Sequence, residues 1–229
     1  IQGDGMSLAD RTPRITGGYP GLLASLVLMM LLAPIAEPEG SLRFATSLVF
    51  AFLLVFSVWT VSHEARATMI ASALALIVFL GSTLMDWFDL GQTFGVSILI
   101  VACLFFAYVA SLVLRDVFLS RTVTAQTIMG AICAYILLGM LWGYLYSLVN
   151  ALQPGAFSDN IEETGLIGRF VYFSMVTLTT LGYGDITPVS AVARGLAVVQ
   201  ATRGQVYLTV LVARLVGIHL TQNGRPEGD

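Results

Sequence analysis

Charge is scarce in this chain. Only 11% of its 229 residues are Asp, Glu, Lys or Arg, against about 25% in soluble domains. Lysine is absent: all 11 basic residues are arginines. They are scattered, which excludes a basic patch for nucleic acid, and the net charge of −3 points to no partner. The two cysteines, Cys103 and Cys133, both lie inside apolar runs. They read as small buried hydrophobes, not as a disulfide or a metal pair. Long polar segments are missing too. Only residues 221–229 follow Leu220, so a short cytoplasmic tail is expected, without a soluble regulatory domain or an organic cofactor. Nothing after Met6 has the form of a cleavable leader, and residues 1–5 read as a vector-derived remnant.

What the chain has in abundance is apolar length. Hydrophobic residues make up 57% of it, and mean hydropathy is +0.85. Six runs, at 20–36, 42–61, 68–85, 94–114, 123–152 and 188–220, are long enough to cross a hydrocarbon core of about 30 Å as helices. A seventh, 166–180, reaches only about 22 Å at 1.5 Å per residue. It must lie flat or re-enter the membrane, and a re-entrant segment survives only where protein or water covers its free backbone groups. The expected fold is therefore an all-α membrane protein with six transmembrane helices and one re-entrant helix and loop before the last. Arg11, Arg14, Arg66, Arg115 and Arg121 fall in alternate gaps from Glu37, Glu39, Asp86, Asp89, Asp159, Glu162 and Glu163. Arginines concentrate on the cytoplasmic side, so both termini are expected there and the re-entrant piece faces outward. Arg43 is the one basic residue on the other side.

The re-entrant piece runs into Thr179-Thr180-Leu181-Gly182-Tyr183-Gly184-Asp185. A dehydrated cation such as potassium needs a ring of oxygens in place of its water, and backbone carbonyls can supply them. Aiming successive carbonyls at one axis requires a strand that alternates ordinary and positive φ, and Gly182 and Gly184 adopt positive φ without steric cost. Gly-x-Gly alone fits an ordinary external turn better. The preceding threonines, the following aspartate, the half-span and the flanking full spans argue against that. The C-terminus of the short helix also points a partial negative charge at the membrane middle, which favours a cation.

On these residues the chain resembles the potassium-channel pore family, over roughly 123–220, with the overall layout of a six-transmembrane bacterial-type channel. The resemblance implies that carbonyls of Thr180, Leu181, Gly182 and Tyr183, with the Thr180 hydroxyl, coordinate potassium as the permeant ion, and that Gly184 completes the filter. One loop is a quarter of a ring, so it implies a homotetramer in contact with membrane lipid, in the plasma membrane, a bacterial inner membrane. Leu181 departs from the commoner valine. Thr179 and Asp185 would support the filter, and Tyr172 falls where an aromatic donor often bonds the aspartate; filling an interface is the alternative for it. Val176 replaces a glutamate that pairs with the aspartate in some relatives, so inactivation by that route is not expected. Gly204 falls at the gating-hinge position, with close helix packing as the alternative, and Gln205, Leu208 and Val212 would line the cavity. Arg203, beside Gly204, is expected to turn away from the axis and seek a carbonyl or carboxylate.

Residues 20–114 stand where such channels carry a voltage sensor. Voltage sensing needs several arginines along one helix, and the run 94–114 contains none. The four helices therefore read as a collar lacking gating charges, 115–122 as a cytoplasmic linker, and voltage dependence as weak or absent. His63 and Glu64 read as solvated loop residues. A non-selective cation channel is the nearer rival. An intramembrane aspartyl protease of the Gly-x-Gly-Asp type needs a second aspartate to share a proton, and Asp86, Asp89 and Asp116 all fall at run ends. The protein is not expected to be an enzyme.

Overall fold

The computed structural model describes residues 18–32, 65–88, 91–120, 122–159 and 166–223. The expected span 42–61, together with Glu37, Glu39, Arg43, His63, Glu64 and both chain termini, lies outside the described residues. The elements in chain order are α1 (Tyr19–Leu32), α2 (Ala65–Trp87), α3 (Gly91–Leu119), α4 (Ala125–Leu152), β1 (Phe157–Asp159), α5 (Leu166–Leu178), β2 (Ile186–Pro188) and α6 (Ala191–Asn223). Among the described residues four helices are long and apolar enough to cross a membrane: α2, α3, α4 and α6. The described part of α1 and the 13 residues of α5 are shorter.

α3 and α4 form an antiparallel hairpin. Gln92 Nε2 donates to the Ala151 carbonyl at 2.7 Å, Phe106 stacks on Tyr144 with ring centroids 4.9 Å apart, and Val117 lies against Gly130. Part of the expected linker at 115–122 is helical. α3 continues through Arg115 and Asp116 to Leu119, because no Gly or Pro interrupts it and Asp116 accepts a hydrogen bond from Tyr19 Oη. α4 begins at Ala125. Thr124 N-caps α4 in a capping box with Thr127, which satisfies two of the amides left open at a helix start.

α1 packs on α4 through buried Tyr19, Leu22 and Leu26, and both cysteines are free thiols. α5 is wedged between α4 and α6. Its approach to α4 is set by two glycines one turn apart. A Cβ on Gly143 would lie 2.7 Å from the Val171 Cα, and one on Gly139 would meet the Met175 side chain. Small residues at this spacing let helix backbones close up where apolar burial gives no drive.

One short β-ladder stands beside the helices, which the all-α expectation did not include. Phe157, Ser158 and Asp159 pair antiparallel with Pro188, Thr187 and Ile186. It ties the segment after α4 to the segment after the Thr179–Asp185 motif. Behind it Phe157, Tyr146, Phe170 and Phe173 pack edge to face or tilted, with centroids 4.8–5.6 Å apart.

Candidate functional site: the Thr179–Asp185 loop

The loop grows directly from the C-terminus of α5. Thr180 N–H donates to the Thr177 carbonyl at 3.1 Å, and the amides of Leu181 and Gly182 both reach the Val176 carbonyl, at 2.9 and 3.4 Å. These bonds end the helix by turning its open carbonyls back on the loop. Val176 itself is buried.

Backbone handedness then alternates. Thr180, Gly182 and Gly184 have φ of 61°, 61° and 80°, whereas Leu181 and Tyr183 keep negative φ. The two glycines take the conformation the sequence reading required. Thr180 does so as well, and a β-branched residue there is strained, so composition gave no hint of it. Alternating handedness turns successive peptide planes so that their carbonyls share one side of the strand. Leu181 and Tyr183 are 54% and 66% exposed among the described residues.

Asp185 anchors the far end. Its Oδ2 accepts the Tyr172 phenol at 2.6 Å and its Oδ1 accepts the Ile186 amide at 3.0 Å. The contact named from the sequence is therefore present in the protomer. The phenol's hydrogen bond, then the amide's, holds the Asp185 carboxyl below its ordinary value. Thr179 Oγ1 donates to the Met175 carbonyl at 2.8 Å.

A buried polar network behind the loop had no counterpart in the sequence reading. Gln200, fully buried on α6, donates to the Ser174 carbonyl at 3.0 Å and the Ser174 hydroxyl at 2.7 Å. Its Oε1 accepts Tyr146 Oη at 2.6 Å, and Ser174 Oγ donates to the Gly139 carbonyl at 2.6 Å. α4, α5 and α6 thus meet through one connected set of hydrogen bonds. A glutamine in the middle of an apolar run was the available signal, since intramembrane polar groups seek partners.

α6 runs unbroken through Gly204. A Cβ there would meet Leu178 Cδ1 at 2.7 Å and the Leu178 carbonyl oxygen at 3.1 Å, which is the packing alternative the sequence left open. Tyr207 and Leu211 share that buried face, while Gln205, Leu208 and Val212 are exposed on the protomer. Arg203 is exposed on the protomer, beside Tyr135, Trp142 and Leu178, and bonds no carbonyl or carboxylate among the described residues. Arg214, which the sequence did not single out, donates to the Ser120 carbonyl at 2.8 Å and sits 5.3 Å from the Phe118 ring centroid. It ties the lower part of α6 to the α3–α4 turn.

Residues 130–220 match the family described as "Ion channel". The match covers less than half of the chain, and it supports the likeness to potassium-channel pores. Among curated proteins the chain is 34% identical over 83 residues to two-pore potassium channel 4 of Arabidopsis thaliana, covering 35% of this chain and 29% of that one. It is 33% identical over 66 residues to two pore potassium channel c of Oryza sativa subsp. japonica, covering 29% and 14%. Protein LctB of Bacillus caldotenax is 34% identical over 83 residues, covering 35% and 61%. The chain thus spans less than two thirds of each of these relatives. No solved structure matches it.

Proposed function

We propose that four copies of this chain form a potassium-selective channel, with residues 179–185 of each copy contributing a quarter of the filter. The observation that carries the reading is the alternation of positive φ at Thr180, Gly182 and Gly184. It suits a column of carbonyls that replaces the hydration shell of a dehydrated cation. The named potassium channels among the relatives support the choice of ion. In this reading carbonyls of Thr180, Leu181, Gly182 and Tyr183 and the Thr180 hydroxyl bind potassium, Thr179, Asp185 and Tyr172 brace the loop, and α5 is the re-entrant pore helix. The uncovered Leu181 and Tyr183 side chains and the exposed Gln205–Leu208–Val212 face of α6 are the surfaces further copies would cover and surround. The pore domain is 123–220, and both termini are cytoplasmic in a plasma membrane.

Gating by voltage is weak or absent in this reading. α3 carries a single basic residue, Arg115, near its end, whereas steep dependence draws about 2.3 kcal/mol per charge per 100 mV from several charges. The remaining helices act as a structural collar that positions the pore.

The test is ion flux from liposomes with potassium or sodium as the only gradient. Potassium flux well above sodium flux, with little change across imposed potentials, is expected. Equal sodium flux would overturn selectivity and favour a non-selective cation channel.

A further inference from the structure

α5 and α6 touch at two points that share one spacing. Gln200 Nε2 of α6 donates to the carbonyl and the hydroxyl of Ser174 on α5, at 3.0 and 2.7 Å. Four residues further along both helices, Gly204 lies against Leu178, where a Cβ would come 3.1 Å from the Leu178 carbonyl oxygen. The pair 174 and 178 thus matches the pair 200 and 204, each about one helical turn apart, roughly 6 Å at 1.5 Å per residue. A polar contact and a steric one together fix how far α6 can slide along α5. Leu178 is the last residue of α5, and the Thr179–Asp185 loop follows it directly.

The polar point needs an amide. Gln200, Ser174 and Tyr146 are all fully buried. Tyr146 Oη on α4 donates to Gln200 Oε1 at 2.6 Å, which leaves Nε2 as the end that faces Ser174. One side chain must accept from a phenol and donate to a backbone carbonyl, and glutamine carries both functions. Ser174 Oγ continues the connection to the Gly139 carbonyl at 2.6 Å, at one of the glycines that let α4 approach α5. α5 has 13 residues, a length that is marginal for an isolated helix, so contacts of this kind set its position. Between membrane helices hydrogen bonds and packing carry association, because apolar burial gives no drive.

We propose that Gln200 is a positioning residue for the Thr179–Asp185 filter, holding the end of α5 in register with α6 so that the loop keeps the carbonyl spacing that selects potassium. The inference rests on the channel reading above and adds to it a residue that touches no ion. Functional constellations work within about 0.5 Å of their productive geometry and depend on the shell that supports them, so an α5 released from Gln200 is enough to spoil the loop. The shared register also makes residues 200–204 of α6 travel with the filter. A displacement of α6 at this level reaches the loop through Ser174 and Leu178 and is not taken up at Gly204.

The test is the potassium-to-sodium flux ratio of the full chain in liposomes, read beside detergent denaturation of the same samples. The unsubstituted protein should favour potassium; equal fluxes there would overturn the channel reading, and this inference with it. Given a selective parent, Gln200→Met keeps the side-chain length and removes both functions of the amide. It is expected to lower the ratio by roughly fivefold or more, the low end of coupling between linked sites. Gln200→Glu is the rescue. Protonated, it offers one donor to Ser174 and one acceptor to Tyr146, the titratable side chain bonded at this position; ionised, it only accepts. Burial favours its protonated form, so its ratio should match the parent's in mildly acid buffer and fall in alkaline buffer, where the parent's ratio stays level. Loss of stability in both variants with an unchanged ratio would show a structural role and overturn the inference. So would a Gln200→Glu ratio that ignores pH, which decides the matter where Gln200→Met does not fold. Failure of both variants to fold assigns the junction to assembly and overturns it too.

Discussion

The Tyr135 hydroxyl donates to the carbonyl of Leu178 at 2.9 Å, joining α4 to the last turn of α5, one residue ahead of the Thr179–Asp185 loop. The same ring stacks on Tyr207 of α6 at 6.0 Å, and Tyr207 Oη donates to the Ala131 carbonyl at 2.8 Å. Tyr135→Phe keeps the stack and removes only the bond. Hydrogen bonds between membrane helices average about 0.6 kcal/mol, so a loss of that order is expected in a detergent-denaturation titration. A loss several times larger would mean that the Leu178 carbonyl also positions the loop.

Gly204 and Leu178 should behave as a coupled pair. Gly204→Ala places a methyl 2.7 Å from Leu178 Cδ1 and 3.1 Å from its carbonyl oxygen, and overpacking of this kind costs about 1–3 kcal/mol. Leu178→Ala removes the first contact and not the second, so the double variant is expected to recover part of the loss. Were bending of α6 the reason for the glycine, Leu178→Ala would bring no relief in either denaturation or flux.

Gln200→Leu strands the Tyr146 hydroxyl and the Ser174 hydroxyl and carbonyl on the α6 side. A buried polar group left without its partner costs about 1–3 kcal/mol, and that range is the expected loss. Adding Tyr146→Phe to Gln200→Leu should cost little more, because the phenol's partner is already gone. Additive losses in a double-mutant cycle would show that the two do not share a network.

The Tyr172–Asp185 bond sets a pH direction. Because the folded carboxyl is held below its ordinary value of 3.8, the stabilisation is fully present above that value. It is lost only as pH falls through the lower folded value. Potassium flux limited by this brace should therefore be flat from neutral pH down to 3.8. Tyr172→Phe should move the acid loss upward toward the ordinary value. An acid limb already above 3.8 in the unsubstituted protein would assign the flux change to another group.

The loop and its brace were legible because they are local. Thr179 to Asp185 are consecutive, and Tyr172 is 13 residues from Asp185 across one short helix. Among the described residues the helices were legible in existence but not at their ends: Arg115 and Asp116 read as a boundary, yet α3 continues through them to Leu119, with Asp116 bonded by Tyr19. Gln200 was not legible as a junction, since Ser174 and Tyr146 lie 26 and 54 residues away. The β1–β2 ladder has three residues per strand, too few for alternation to register. Thr180 gave no sign of its positive φ, because its side chain disfavours it.

The short connection between α3 and α4 bears on how the protein is made. Contacts from Gln92–Ala151 to Val117–Gly130 close a hairpin of two consecutive helices, and Arg214 clips α6 to Ser120 beside it. A nascent polypeptide can form this hairpin while still leaving the ribosome, with α6 added last.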